Sequence, residues 1–122
     1  MKKIEPNNFR KQYQLKSKDK LLIFVGRLGK EKNIDFLISA LPLIQKQIKN
    51  AKLIIIGDGP YRANLQKQAI RLKIKNSVIF SGYLKRQEVI KAYQASNLFV
   101  FSSLTDTQGM VVAEAAATGL PI

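Results

Sequence analysis

The sequence predicts an α/β fold, a parallel sheet of about four to five strands with flanking helices, and three observations carry that expectation. Short runs of consecutive apolar residues recur along the 122-residue chain, and each closes on a glycine or a polar loop. Between them the apolar spacing lengthens to three and four residues, the period of helices lying on a sheet. Apolar residues make up 46% of the chain, and a chain of this length buries about 67% of its unfolded surface, enough for one core and not for two.

Residues 1–19 are basic and polar and read as a loosely ordered lead-in to a single domain over residues 20–122. The run Lys20 to Val25, closed by Gly26, predicts a first strand buried on both faces. From Asn33 the period changes: Ile34, Leu37, Ile38, Leu41, Ile44 and Ile48 line one side of a helix that Pro42 is expected to kink or split. Leu53 to Ile56 is the second strand, ending at Gly57-Asp58-Gly59-Pro60, and Pro60 is expected to open a second helix with Leu65, Ala69 and Leu72 inward. Val78 to Phe80, ended by Gly82, is a short third strand, and Arg86 to Ala95 a third helix with Val89, Ile90 and Tyr93 inward. Leu98 to Phe101 predicts a fourth strand, Ser102 to Gln108 a loop, and Met110 to Thr118 an Ala-rich helix stopped by Gly119. Pro121-Ile122 begins what reads as a truncated fifth strand.

Composition removes several function classes. The chain has no Cys and no His, so disulfide scaffolds, Cys/His zinc sites and His-based nucleophilic catalysis are excluded. The longest apolar run, Leu21 to Val25, is far below the ~18 residues of a membrane span. The basic start lacks an apolar secretory core, which favours the cytoplasm. The 21 Lys and Arg outweigh 8 acids, and the excess lies in residues 1–101; residues 102–122 hold two acids and no base. Such a field attracts phosphates on a nucleotide-linked substrate, nucleic acid or an anionic lipid surface. Nucleic acid is disfavoured, because the aromatic residues fall mostly in strands or on inward helix faces and leave no stacking platform. Lys67, Arg71 and Lys75, four apart, are one candidate lipid-facing row, with a merely solvated face as the competing reading.

In an open parallel sheet the ligand lies beyond the carboxyl ends of the strands. After the first strand, Gly26-Arg27-Leu28-Gly29-Lys30-Glu31-Lys32 offers glycines and cations before a helix N-terminus, which suits a diphosphate; a plain glycine turn is the alternative. Gly57-Asp58-Gly59 lacks the third glycine of a dinucleotide fingerprint and reads as a tight strand-to-helix turn. In the last loop Asp106 and Glu114 place two carboxylates, acceptors for sugar hydroxyls, around a helix start that Gly109 leaves open to phosphate.

Phe24-Val25-Gly26-Arg27-Leu28 with Glu31-Lys32-Asn33, Ile54-Ile55-Ile56-Gly57-Asp58-Gly59-Pro60, Val78-Ile79-Phe80-Ser81-Gly82, and Asp106-Thr107-Gln108-Gly109 with Glu114-Ala115 and Gly119-Leu120-Pro121 stand in register over residues 21–122. This set resembles the donor-binding, C-terminal half of family 4 retaining glycosyltransferases, whose Rossmann-like domains pair as a GT-B fold. Thr105-Asp106-Thr107-Gln108-Gly109 is similar, more narrowly, to the motif of members that glycosylate diacylglycerol.

The resemblance implies a hexosyltransferase using a nucleotide sugar, UDP-glucose by this reading, with a lipid or saccharide acceptor, no metal and no other cofactor. Gly26, Arg27 and Lys32 would meet the diphosphate; Gly82, Tyr83 and Leu84 would meet the base, and Glu114 the ribose. Asp106 takes the position of a family Glu and would contact the donor sugar beside the Gly109 and Met110 amides, with its oxygens retracted by about 1.5 Å. The N-terminal acceptor domain of the family has no counterpart in these 122 residues. The expectation is therefore a fragment inactive alone, from a parent in the cytoplasm or peripheral at the inner face of the membrane. A basic nucleic-acid-binding or membrane-docking module without transferase activity is the alternative.

Overall fold

A computed structural model describes residues 6–96 and 98–99. Four parallel strands, β1 (Lys20–Val25), β2 (Ala51–Ile56), β3 (Val78–Gly82) and β4 (Leu98–Phe99), form one sheet in the order β3-β2-β1-β4. The helices are α1 (Pro6–Gln12), α2 (Ile34–Gln47), α3 (Arg62–Arg71) and α4 (Arg86–Ala95). The chain steps outward from β1 to β2 to β3, then returns to lay β4 on the other side of β1. That reversal makes a crevice beyond the carboxyl ends of β1 and β4, where open parallel sheets bind ligands.

The two-residue side-chain period of a strand divides the core between the faces. Leu21, Ile23, Ile54 and Ile56 pack with Val89, Ala92 and Tyr93 of α4 and with Phe9 of α1. Phe24, Leu53, Ile55 and Val78 pack with Ile34, Ile38 and Leu41 of α2 and Leu65 and Ala69 of α3. Lys20 pairs with Ala51 and Val25 with Ile56, so both strands end level at the crevice. Among the described residues no helix is long and apolar enough to cross a membrane.

The strands and the third β-α helix lie where the sequence predicts them within the described residues, and three details differ. Helix α2 continues through Pro42, because burial of Ile34, Ile38 and Leu41 outweighs one lost hydrogen bond; it stops at Gln47, leaving Ile48 exposed. Helix α3 opens at Arg62, not at Pro60; Tyr61 is its N-cap, and the Tyr61 N–H, which has no acceptor inside the helix, donates to the Leu28 carbonyl at 2.9 Å. Of the inward set expected on α4, Val89 and Tyr93 are buried while Ile90 is only partly so, and Ala92 takes the packed position. The fourth strand is described for Leu98–Phe99, and the predicted loop, helix and fifth strand over 102–122 lie outside the described residues.

The lead-in is the largest correction. Residues 6–12 form α1, whose Phe9 is fully packed in the core and stacks obliquely on Tyr13 with ring centres 4.8 Å apart. Arg10 fixes the segment by donating from Nε to the Ala95 carbonyl (3.0 Å) and from Nη1 to those of Asp19 (3.0 Å) and Lys16 (3.2 Å). The guanidinium thereby meets a carbonyl at the end of α4, where the helix dipole favours a cation. The buried Asp19 carboxylate accepts the Lys16 N–H at 2.9 Å and closes the turn into β1. One phenylalanine among many lysines carried too weak a periodic signal for this helix to be read from sequence.

Phe9→Ala is expected to lower unfolding stability by about 3 kcal/mol, the cost of emptying a packed aromatic site. Urea denaturation measures it, and a loss indistinguishable from an exposed-surface substitution would contradict the packing of α1.

Candidate functional site

Three loops leave the carboxyl edge of the sheet, and their backbones are tied directly to one another. The Gly26 N–H donates to the Ile56 carbonyl (3.0 Å), Leu28 N–H to Asp58 (3.0 Å), and Gly57 N–H to Gly82 (2.9 Å). Such close approach leaves no room for side chains. A Cβ on Gly57, which sits at φ 137°, would collide with the Gly26 carbonyl, and one on Gly59 would lie 2.5 Å from that of Leu28. Gly82 adopts φ 75° and bridges Gly57 in antiparallel fashion where β3 carries an irregularity in its register. Gly57 and Gly59 therefore serve packing between loops, consistent with the tight turn expected of them.

Above this junction opens a cavity of about 420 Å³, walled by Gly26 and Arg27 after β1, Gly57 and Asp58 after β2, Tyr83 and Leu84 after β3, and Arg86 and Val89 of α4. Tyr83 is 80% exposed and Val25 and Ile56 form an apolar floor. Arg27 Nη1 contacts Glu31 Oε1 at 2.9 Å, and Arg62 Nη1 lies 3.4 Å from Asp58 Oδ2. Both pairs are substantially solvated, so each contributes little to stability and its arginine can turn to a ligand at small cost. No side chain caps the first turn of α4, where Arg86 sits. The open N–H groups and two arginines make this mouth a receptor for an anion, with an aromatic and apolar wall beside it.

Of the residues singled out from sequence, Gly26, Arg27, Tyr83 and Leu84 line the cavity, and Gly82 anchors the loop that carries two of them. Lys32 lies in a 3-10 turn over Lys30–Lys32, is only 7% exposed and is not among the lining residues. Asp106, Gly109, Met110 and Glu114 lie outside the described residues. Sequence reasoning missed Asp58 and Arg86 in the wall. For Arg86 a signal existed, since a cation in the first turn of a helix opposes the dipole and there Asp or Glu would be preferred. Among the described residues no group of three or more acids is placed to hold a metal ion.

Residues 6–122 match the family described as Glycosyl transferases group 1. An alpha-monoglucosyldiacylglycerol synthase of Streptococcus pneumoniae is 36% identical over 104 residues, covering 85% of this chain and 24% of that protein. The chain thus spans about a quarter of the length of that relative. Among solved structures, Anabaena HepE in complex with UDP and glucose superposes with a TM-score of 0.82 at 25% identity, over 97% of this chain and 33% of that one. The C-terminal domain of a glycosyl transferase group 1 family protein from Francisella tularensis gives 0.78 at 19% identity, over 97% of this chain and 63% of that one, a likeness of fold.

If the glycine junction sets the loops, Gly59→Ala costs at least about 2 kcal/mol, because backbone on both sides must shift. Gly26→Ala, whose Cβ would sit 3.3 Å from the Phe24 ring, costs less than half as much. Thermal unfolding of the two variants gives the comparison, and equal losses would count against the junction.

Proposed function

The chain belongs to the glycosyl transferases group 1 family, and from that premise we propose that it is the donor-binding half of a retaining hexosyltransferase that moves glucose from UDP-glucose to a lipid or saccharide acceptor. The observation that carries the proposal is the cavity at the carboxyl edge, which joins two arginines and an open helix N-terminus to the exposed ring of Tyr83. A diphosphate needs the first, a planar base the second. The UDP and glucose bound by HepE, and the glycolipid product in the name of the pneumococcal relative, support the donor and the lipid acceptor respectively.

In the proposed reaction the bond between glucose C1 and the diphosphate oxygen breaks, C1 bonds to the oxygen of an acceptor hydroxyl with its configuration retained, and the hydroxyl proton passes to the departing diphosphate. The charge that develops on the departing diphosphate is met by Arg27 at the cavity wall and, by family resemblance, by Lys32 behind it, so the step needs no metal. The Gly82–Leu84 backbone holds the base, with the Tyr83 ring available to stack on it. By family resemblance Glu114 holds the ribose hydroxyls, while Asp106 and the Gly109 and Met110 amides hold the sugar. The acceptor wall belongs to a domain beyond this chain. Alone, these residues bind nucleotide with water at the anomeric carbon and do not turn over. With a lipid acceptor the parent protein works peripherally at the inner face of a membrane.

Calorimetric titration with UDP tests the donor reading. Arg27→Ala is expected to weaken binding about 10- to 100-fold, the worth of one charge-assisted contact, and millimolar UDP and UDP-sugars giving no heat would refute it. In the full-length enzyme EDTA should leave turnover unchanged, and Asp106→Asn should lower kcat/KM at least about tenfold while Asp106→Glu retains activity. Full activity of the Asn variant would remove Asp106 from the sugar site.

A further inference from the structure

On the face of the sheet away from α4, helices α2 and α3 lie side by side, held by Gln68, whose Nε2 donates to the Asp35 carbonyl (2.9 Å) and to Ser39 Oγ (2.8 Å). At 100° per residue, burial of Ile34, Ile38 and Leu41 turns Phe36 and Leu43 directly outward on α2, and burial of Leu65 and Ala69 does the same for Lys67, flanked by Ile70 and Arg71, on α3. Phe36 is 68%, Leu43 63% and Ile70 57% exposed. Three large apolar side chains thus stand out of one two-helix layer.

The same layer is strongly cationic. Lys46 of α2, Lys67 and Arg71 of α3, and Lys73 and Lys75 just after it are all exposed. Asp35 is the only acid in either helix, and from Phe36 to Gln87 the sequence has ten Lys and Arg against Asp58 alone, which lies at the donor end beside Arg62. Apolar side chains projecting from a bed of cations gain nothing from a phosphate backbone in water. They match an interface where acyl chains lie beneath anionic head groups.

We propose that the α2–α3 face is a docking surface for an anionic lipid bilayer, with Phe36, Leu43 and Ile70 entering the head-group boundary and Lys46, Lys67, Arg71, Lys73 and Lys75 meeting lipid phosphates. Helices that connect parallel strands run alongside them, so the bilayer would lie along the flank of the sheet. The crevice beyond the carboxyl ends of the strands then opens sideways along the membrane surface. None of these residues lines the nucleotide cavity, and the proposal stands whether or not the donor is UDP-glucose.

Co-sedimentation of the full-length protein with vesicles, in the absence of nucleotide, tests it. Vesicles of phosphatidylglycerol and phosphatidylcholine in equal parts should bind the protein in a salt-sensitive manner, and phosphatidylcholine alone should not. The double variant Lys67→Gln/Arg71→Gln should bind about thirtyfold more weakly, corresponding to about 1 kcal/mol per cation, and Phe36→Ser/Leu43→Ser should lose binding at constant charge. Lys16→Gln/Lys18→Gln, which removes the same charge from the turn before β1, should stay within about twofold of the parent protein. Unaltered UDP affinity in every variant verifies the fold. Equal binding to neutral vesicles, an equal loss in the Lys16/Lys18 variant, or binding that a mixed-sequence oligonucleotide captures ahead of the vesicles would each overturn the proposal.

Discussion

The site depends on backbone meeting backbone at the carboxyl edge of the sheet. Gly57 and Gly59 let the loop after β2 lie against the carbonyls of Gly26 and Leu28, and Gly82 brings the loop after β3 onto Gly57. Three loops that would otherwise fluctuate separately become one layer. Arg27, Asp58 and Tyr83 rise from that layer around the cavity. Their mutual placement is thus set by main-chain hydrogen bonds and steric exclusion, while the solvated ion pairs that Arg27 makes with Glu31 and Asp58 with Arg62 can rearrange around an incoming anion.

The sheet separates two chemistries. On one side α4 contributes its uncapped first turn to the cavity and is braced by α1 through Phe9 and Arg10. On the other, α2 and α3 bury Ile34, Ile38, Leu41, Leu65 and Ala69 and leave a cationic exterior set with apolar side chains. A mixed charge pattern spread evenly over the surface would serve neither an anionic ligand nor an anionic plane. Here Glu31 and Asp58, in the loops after β1 and β2, are each paired with an arginine, and the outer helices hold Asp35 alone.

Much of this was legible in the sequence because parallel strands announce themselves as continuous apolar runs. Lys20–Val25 and the helix Arg86–Ala95 agree with their expected bounds, since each has a clear period and a clean stop. Where a boundary moved against a local signal, packing had overruled it: core burial carries α2 past Pro42. Helix α1 was not legible, for its order comes from Arg10 and from Ala95, a partner 85 positions away. In the site, the loop following β1 identified Gly26 and Arg27, the family resemblance supplied Tyr83 and Leu84, and the spatial return of α4 adds Arg86 to the wall. Lys32 shows the converse, a motif position whose burial could not be read from the motif.

The bond from Arg10 to Ala95 also has a temporal side. During synthesis at roughly 5–20 residues per second, the helix around Phe9 emerges about 4–17 s before the carbonyl that will hold it is made. Within that interval β1 and β2 are made and can meet Phe9 through Leu21, Ile23, Ile54 and Ile56, while Val89, Ala92 and Tyr93 of α4, the rest of its cover, are still to come. Until α4 arrives the helix therefore depends on the sheet alone, and the bond that fixes it is among the last of the described contacts that can form.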